Sequence, residues 1–360
     1  MHLSNNRSIR LILALVLTAA LALMSAAGCS AASTSAAPAE TTLAETTAAA
    51  TTTPETEPES TTPAAVDIRI GGLKGPTSIG LVQLMESAAL GKAANNYTFT
   101  VAGSADELTP KLAKGELDIA AVPANLASVL YNNTKGQIKL LAINTLGVNY
   151  IVETGDTISS LEDLRGQTIY GSGKGSSPEY ALRYLLSENG IDPDKDVTLE
   201  WKSEAAEVVA TLSQLDEGIA LMPQPYVAIA QANLPDLKVA LDLNQAWEDL
   251  DNGSLMITGV LVIRSDFLEQ YPGQVMAFLD EYQASTAFAN ENVPEAAQLV
   301  EKYGLFKAAI AQKAIPFCNI TYLDGAEMQT AMEGYLNVLF QQNPKSVGGT
   351  LPDDAFYVNR

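Results

Sequence analysis

Ile138-Lys-Leu-Leu-Ala-Ile-Asn-Thr-Leu-Gly-Val-Asn-Tyr-Ile-Val152 carries two apolar β-type runs, 138–143 and 149–152, with only a short turn between them. Elsewhere each such run is followed by a helical pattern. Upstream, Val66-Asp-Ile-Arg-Ile70 precedes apolar residues at Ile79, Val82, Met85 and Ala89, and further runs lie at Tyr97 to Val101 and Asp118 to Val122. Downstream, Gln167 to Tyr170, Val197 to Trp201 and Gly218 to Met222 continue the alternation. Strand and helix taking turns in this way predict an α/β protein with largely parallel sheets. A second break comes at Met256-Ile-Thr-Gly-Val-Leu-Val-Ile263, and beyond residue 265 the pattern is helical: Asp266 to Asn290, Pro294 to Tyr303, Lys307 to Ala314, Gly325 to Gln341. Two breaks are what two lobes sharing a hinge require. The expected division is lobe I at 66–146 and 258–360 and lobe II at 147–257. Roughly 295 residues exceed the size at which one core usually splits.

The segment before the first strand reads differently. Residues 1–28 have a cationic start with Arg7 and Arg10, an apolar run from Leu11 to Met24, and the small residues Ser25-Ala-Ala-Gly28 ahead of Cys29. That is the layout of a secretory signal peptide; the apolar run falls short of the roughly 20 residues of a permanent membrane span. Ala26-Ala-Gly-Cys29 resembles a bacterial lipobox, with Ala26 where Leu is commoner. The resemblance implies that Cys29 is acylated and heads the mature chain. From Ser30 to Ala65 the sequence is almost wholly Ala, Ser, Thr, Pro and Glu, with Leu43 the only large apolar residue. Such a stretch cannot bury enough surface to fold, so 29–65 is expected to be a disordered tether. Its end-to-end distance as a flexible coil is roughly 30–35 Å.

The first 28 residues contain two of the 21 basic and none of the 42 acidic side chains, leaving 19 against 42 and a net charge of −23. Nucleic acid is excluded as a partner on that balance, and membrane attachment falls to the anchor rather than to a basic patch. With Cys29 modified, Cys318 has no partner for an intramolecular disulfide; between Phe317 and Asn319 it reads as a small buried apolar residue.

Ligands of open α/β sheets gather at the carboxyl ends of strands, where helix N-termini present unpaired N–H groups. Four turns fit. Gly71 to Ser78 follows the first strand, with Thr77 or Ser78 as a helix cap; Pro123-Ala-Asn125 follows the third, with Pro at the first helical position. Gly171-Ser-Gly-Lys-Gly-Ser-Ser-Pro-Glu179 combines flexible backbone with a capping box between Ser176 and Glu179, and Pro223-Gln-Pro-Tyr226 follows Met222. Any α/β protein needs glycine turns and serine caps, so these alone are weak evidence. The Gly171 turn matches neither phosphate-binding motif.

For catalysis the inventory is poor. The sole histidine is His2, and no Cys, His or carboxylate cluster has metal-ligand spacing. No catalytic residue, cofactor or metal is expected, although a Ser-Lys arrangement around Lys174, Ser176 and Ser177 is formally open. Trp201, Tyr226 and Trp247 have faces that suit either a ligand or a core, and the acidic run from Glu153 to Asp163 reads as a solvated surface.

Taken in order, Gly71-Gly-Leu-Lys-Gly-Pro-Thr77, Gly115-Glu-Leu-Asp-Ile-Ala-Ala-Val-Pro123, Ser160-Leu-Glu-Asp-Leu-Arg-Gly166, Met222-Pro-Gln-Pro-Tyr226 and Ser265-Asp-Phe-Leu-Glu-Gln-Tyr-Pro272 resemble the solute-binding proteins of ABC importers, in the grouping of nitrate-, sulfonate-, taurine- and thiamine-precursor-binding proteins. The resemblance covers the chain from Val66 onward. It implies a type II periplasmic-binding-protein fold, with a ligand cleft between two lobes joined by two crossing segments. It also implies an extracytoplasmic, lipid-anchored monomer that captures a small anionic or polar solute for a separate permease and ATPase. Carried over by position, the cleft is lined by Lys74, Thr77, Ser78, Asn125, Thr145, Ser172, Ser176, Ser177, Gln224 and Tyr226. Pyrimidine-synthesising relatives of this fold depend on histidine and cysteine motifs that this chain lacks. A sensory or ligand-presenting surface lipoprotein and a surface enzyme remain as alternatives.

Overall fold

A computed structural model describes residues 64–360. The expected signal peptide, Cys29 and all but the last two residues of the expected tether lie outside the described residues. The strands are β1 (Asp67–Leu73), β2 (Asn96–Ala102), β3 (Ile119–Pro123), β4 (Ile138–Leu146), β5 (Asn149–Glu153), β6 (Thr168–Ser172), β7 (Thr198–Lys202), β8 (Ile219–Pro223), β9 (Lys238–Asp242), β10 (Ile257–Arg264) and β11 (Ile320–Leu323). The helices up to β8 are α1 (Pro76–Ile79), α2 (Val82–Ala89), α3 (Ala105–Ala113), α4 (Ala124–Thr134), α5 (Ser177–Glu188) and α6 (Ala205–Leu212). After β8 come α7 (Tyr226–Asn233), α8 (Leu243–Glu248), α9 (Ser265–Gln270), α10 (Pro272–Glu291), α11 (Val293–Lys302), α12 (Ala308–Ala314) and α13 (Gly325–Gln342).

The strands form two sheets. Sheet I has the order β11-β4-β10-β3-β1-β2 and sheet II the order β7-β6-β8-β5-β9. The chain leaves sheet I between Leu146 and Asn149 and returns between Asp242 and Ile257. The strand after each passage is inserted into the middle of its sheet against the local direction: β5 is antiparallel to β8 and β9, and β10 to β3 and β4. Of the remaining pairs, β1 with β2 and β3 and β6 with β7 and β8 are parallel, and β11 with β4 is antiparallel. Strands inside a sheet that is covered on both faces are buried on both, which is why Ile257 to Ile263 of β10 and Ile119 to Val122 of the adjacent β3 are nearly continuous apolar runs.

One apolar cluster crosses from sheet to sheet. It includes Ile143 and Val260 of sheet I, Ile151 and Leu221 of sheet II, and Trp247 of α8 packed against Tyr335 of α13. Among the described residues no helix is long and apolar enough to cross a membrane.

Several local expectations change. The helical tail is interrupted by β11, which pairs with β4, and the first long helix is broken between Gln270 and Pro272. Thr77 and Ser78 lie inside α1, whose N-cap is Gly75, and Pro123 is the cap of α4 rather than its first residue. Glu179 does not complete a capping box with Ser176. Its Oε2 accepts from the Gly175 N–H at 2.6 Å, while the Ser176 hydroxyl donates to the Gly173 carbonyl at 2.6 Å. Nor is the whole Glu153–Asp163 run solvated: Glu153 is 2% exposed and accepts from the Thr157 and Ile158 N–H groups and the Thr157 hydroxyl, folding the turn after β5 around a buried carboxylate.

Candidate functional site

The carboxyl ends of strands from both sheets converge on one cavity of about 510 Å³. Sheet I contributes Lys74 to Thr77 after β1, Gly103 to Asp106 after β2, and Pro123 with Leu126 after β3. Sheet II contributes Ser172 to Ser176 after β6, Lys202 to Ala205 after β7, and Pro223 with Tyr226 at the end of β8. The two passages between the sheets supply Thr145, Val148, Asn149 and Thr258. Parallel strands bring this about: each turn at a strand's carboxyl end opens a helix, so α1, α3, α5, α6 and α7 all begin at the wall. Their N-termini add positive dipole ends. In the turn after β6, Gly173 and Gly175 take φ of +84° and +75°, the left-handed region open to glycine.

Charges of both signs face the cavity: Lys74, Lys174 and Lys202 against Asp106 and Glu204. The Lys74 Nζ lies 5.9 Å from the centroid of the Phe306 ring, which meets Tyr226 edge-on at 5.6 Å. Burial, and then the nearby Glu204 carboxylate, raise the Tyr226 phenol above its ordinary pKa. Lys202 lies 5.4 Å over the Tyr170 ring and 3.7 Å from Glu200. The loops after β2 and β7 meet over the cavity, since a Cβ at Gly103 would come within 2.6 Å of the Glu204 Oε1.

Of the ten residues expected at the cleft, Lys74, Thr77, Thr145, Ser172, Ser176 and Tyr226 are on this wall. The other four are not. Ser78 is fully buried and turned toward Gly72. Gln224 is 6% exposed and its Oε1 accepts from the Ala228 N–H at 3.3 Å. Asn125 and Ser177 bind each other: the Ser177 hydroxyl donates to the Asn125 Oδ1 and accepts from the Asn125 N–H, both at 3.3 Å. The Asn125 amide also donates to the carbonyls of Gly175, at 3.2 Å, and Ser346, at 3.0 Å. This pair ties the turn after β3 to the turn after β6, joining sheet to sheet instead of facing a ligand.

The loops after β2 and β7 were missed in the sequence because neither is rich in glycine. A signal was present in both: Glu107 caps back onto the Gly103 and Ser104 N–H groups, and Glu207 onto Ser203. Asn149 and Thr258 read in the sequence as strand and Val148 as turn, with no signal of a binding role.

Residues 91–302 match the NMT1-like family. No curated protein matches the chain. Among solved structures, an ABC transporter from Parabacteroides distasonis is 27% identical, covers 83% of this chain and 100% of its own, and superimposes with a TM-score of 0.68. The ligand-binding component of an ABC-type import system from Staphylococcus aureus, solved with zinc bound, is 18% identical over 81% of this chain and 96% of its own, with a TM-score of 0.65. The periplasmic aliphatic sulphonate binding protein from Escherichia coli is 17% identical over 79% and 95%, at 0.63. The family match spans more than half of the chain: this protein belongs to the NMT1-like family and has the periplasmic-binding-protein fold.

Proposed function

We propose that the chain is the extracytoplasmic substrate-binding subunit of an ABC-type importer, holding a small anionic or polar organic solute between two lobes. The observation that carries this reading is the cavity itself, walled by strand ends and helix N-termini from both sheets and backed by both crossing segments. Lobe I comprises 66–146 and 258–360, lobe II 147–257, and closure is a rotation about the crossings. A solute touching both lobes stabilises the closed form through contacts that the open form lacks, and the permease recognises that form. Lys74, Lys174, Lys202 and the helix N-termini favour an anionic head group, and Tyr226 with Phe306 offers an apolar face. The solute is bound and released unchanged. Acylation at Cys29 anchors the protein at the outer face of the membrane, with 30–65 as the tether.

Thermal melts of the purified protein against taurine, methanesulfonate, nitrate and 4-amino-2-methylpyrimidine test the assignment of the wall. A solute at a hundredfold excess over its Kd contributes about 2.7 kcal/mol, a rise of roughly 4–5 °C for a chain of this size. Lys74→Glu, a change at an exposed side chain, is expected to leave the unliganded melt in place and to remove the response to anions. An undiminished anion response in Lys74→Glu counts against the site.

A further inference from the structure

Alternate residues of the sheet II strands divide between two layers. Ile151 of β5 with Ile219 and Leu221 of β8 packs in one cluster with α5 and α8, whereas Val152, Ala220 and Met222 pack with α6 and α7. Each layer also meets lobe I, and the two meetings differ in kind. On the α5 side the fully buried Asn125 is bonded to Ser177 and donates to the Gly175 carbonyl, and Trp247 stands between Tyr184 of α5 and Tyr335 of α13. On the α7 side Ala228, with Tyr226 and Ile229, packs into a lobe I cluster that includes Phe306, Ala308 and Ala311 of the α12 region. Apart from the edge-on meeting of Tyr226 with Phe306, that seam is aliphatic and built on small side chains. The other side-chain hydrogen bonds between the lobes, from the Tyr150 hydroxyl to the Phe317 carbonyl at 3.1 Å and from the Asn319 amide to the Gly147 carbonyl, lie at the first crossing. Among the described residues no hydrogen bond or ion pair joins α7 to α12, or the loop after β2 to the loop after β7. Parting the α5 side exposes three large rings and breaks the Asn125 bonds together; parting the α7 side exposes alanine methyls and one ring edge, and the cost of exposure follows the apolar area.

We infer that the cavity opens on one side only: the seam between α7 and α12 and the loops after β2 and β7 part, while the α5 layer stays joined to lobe I and, with the crossings, forms the pivot. This rests on the two-lobed solute-binding reading and gives its motion a direction. Ser172 to Ser176, at the start of α5, then keep their place against Pro123 and Leu126, so that part of the wall is formed before a solute arrives. Tyr226 and the Lys202–Glu204 loop lie on the side that swings, and they come up to Phe306, Lys74 and Gly103 on closure.

Thiols at three buried positions test the direction: Ala228→Cys on α7 toward lobe I, Ala230→Cys on the same helix toward sheet II, and Ser177→Cys at the pivot. The purified full chain is exposed to N-ethylmaleimide with no solute added, and peptide mass spectrometry separates the introduced thiol from Cys29 and Cys318. Ala228→Cys is expected to label at least about tenfold faster than either of the others, because a partial opening uncovers it and only a larger unfolding uncovers them. Should a first choice not fold, Ile229→Cys serves for the seam, Val227→Cys for the sheet face of α7 and Asn125→Cys for the pivot. Equal rates at the seam and the pivot mean that both sides part, equal rates on the two faces of α7 mean that the helix frays by itself, and protection at all three means that neither side opens; each of these overturns the inference. A chain that labels as expected and answers none of the probe solutes keeps the one-sided opening and loses the solute-binding reading.

Discussion

Trp247→Ala lowers stability by about 3–5 kcal/mol and the melting temperature by roughly 5–8 °C. Trp247 is fully buried in α8, within the return passage from sheet II to sheet I. Its ring lies 4.7 Å from Tyr184 of α5, which follows a sheet II strand, and 5.6 Å from Tyr335 of α13, which follows a sheet I strand. Its Nε1–H donates to the Ser254 carbonyl at 3.2 Å and hydroxyl at 3.1 Å. Removing the indole leaves a void lined from both sides and two acceptors without their donor, and neither side can collapse into it without shifting against the other. Trp247→Phe, which keeps most of the ring, is expected to cost much less. Denaturant titration measures both; a loss below about 1 kcal/mol in Trp247→Ala would show that the apolar cluster is not what joins the two sheets.

The second large effect is expected at Gly147, between β4 and β5. A Cβ there would stand 2.6 Å from the Asn244 Cβ and from the Met256 Cε, and nearer still to the Asn244 Oδ1. Met256 belongs to the return passage, so the two crossings touch at this glycine. The Gly147 carbonyl also accepts from the Asn319 amide, which fixes the backbone on its other side. Gly147→Val therefore overpacks a point with no room to give, at about 3 kcal/mol, and weakens solute binding because Thr145, Val148 and Asn149 line the cavity on either side. Met256→Ala in the same chain removes one of the clashing groups and is expected to restore part of both losses. A Gly147→Val protein with a wild-type melt and affinity would mean that the crossings move independently.

The fold was legible because period and turn chemistry agree. Strands Ile68 to Ile70 and Ile119 to Val122 are followed by helical spacing, and the two breaks at residues 138–152 and 256–263 coincide with the passages between sheets. What escaped was short or locally compensated: β11 has four residues, and Glu153 looks like a surface acid until its three donors are seen. The site was legible to the level of the turn and not of the side chain. Successive residues at a helix start point about 100° apart, so Ser176 reaches the cavity while Ser177 turns to Asn125, and sequence has no means of ranking them. Gln224 and Ser78 lie off the wall for the same reason. Asn149 was hidden from the opposite direction, as one polar residue ahead of the apolar run Tyr150 to Val152.

Native mass spectrometry of the purified protein, followed by release and identification of whatever is bound, bears most directly on the claim that the cavity between the sheets holds a solute. One small anionic or polar organic molecule per chain, recovered chemically unchanged, is the predicted result. A chain that stays bare after exposure to the probe compounds, or that returns a chemically altered molecule, would contradict it.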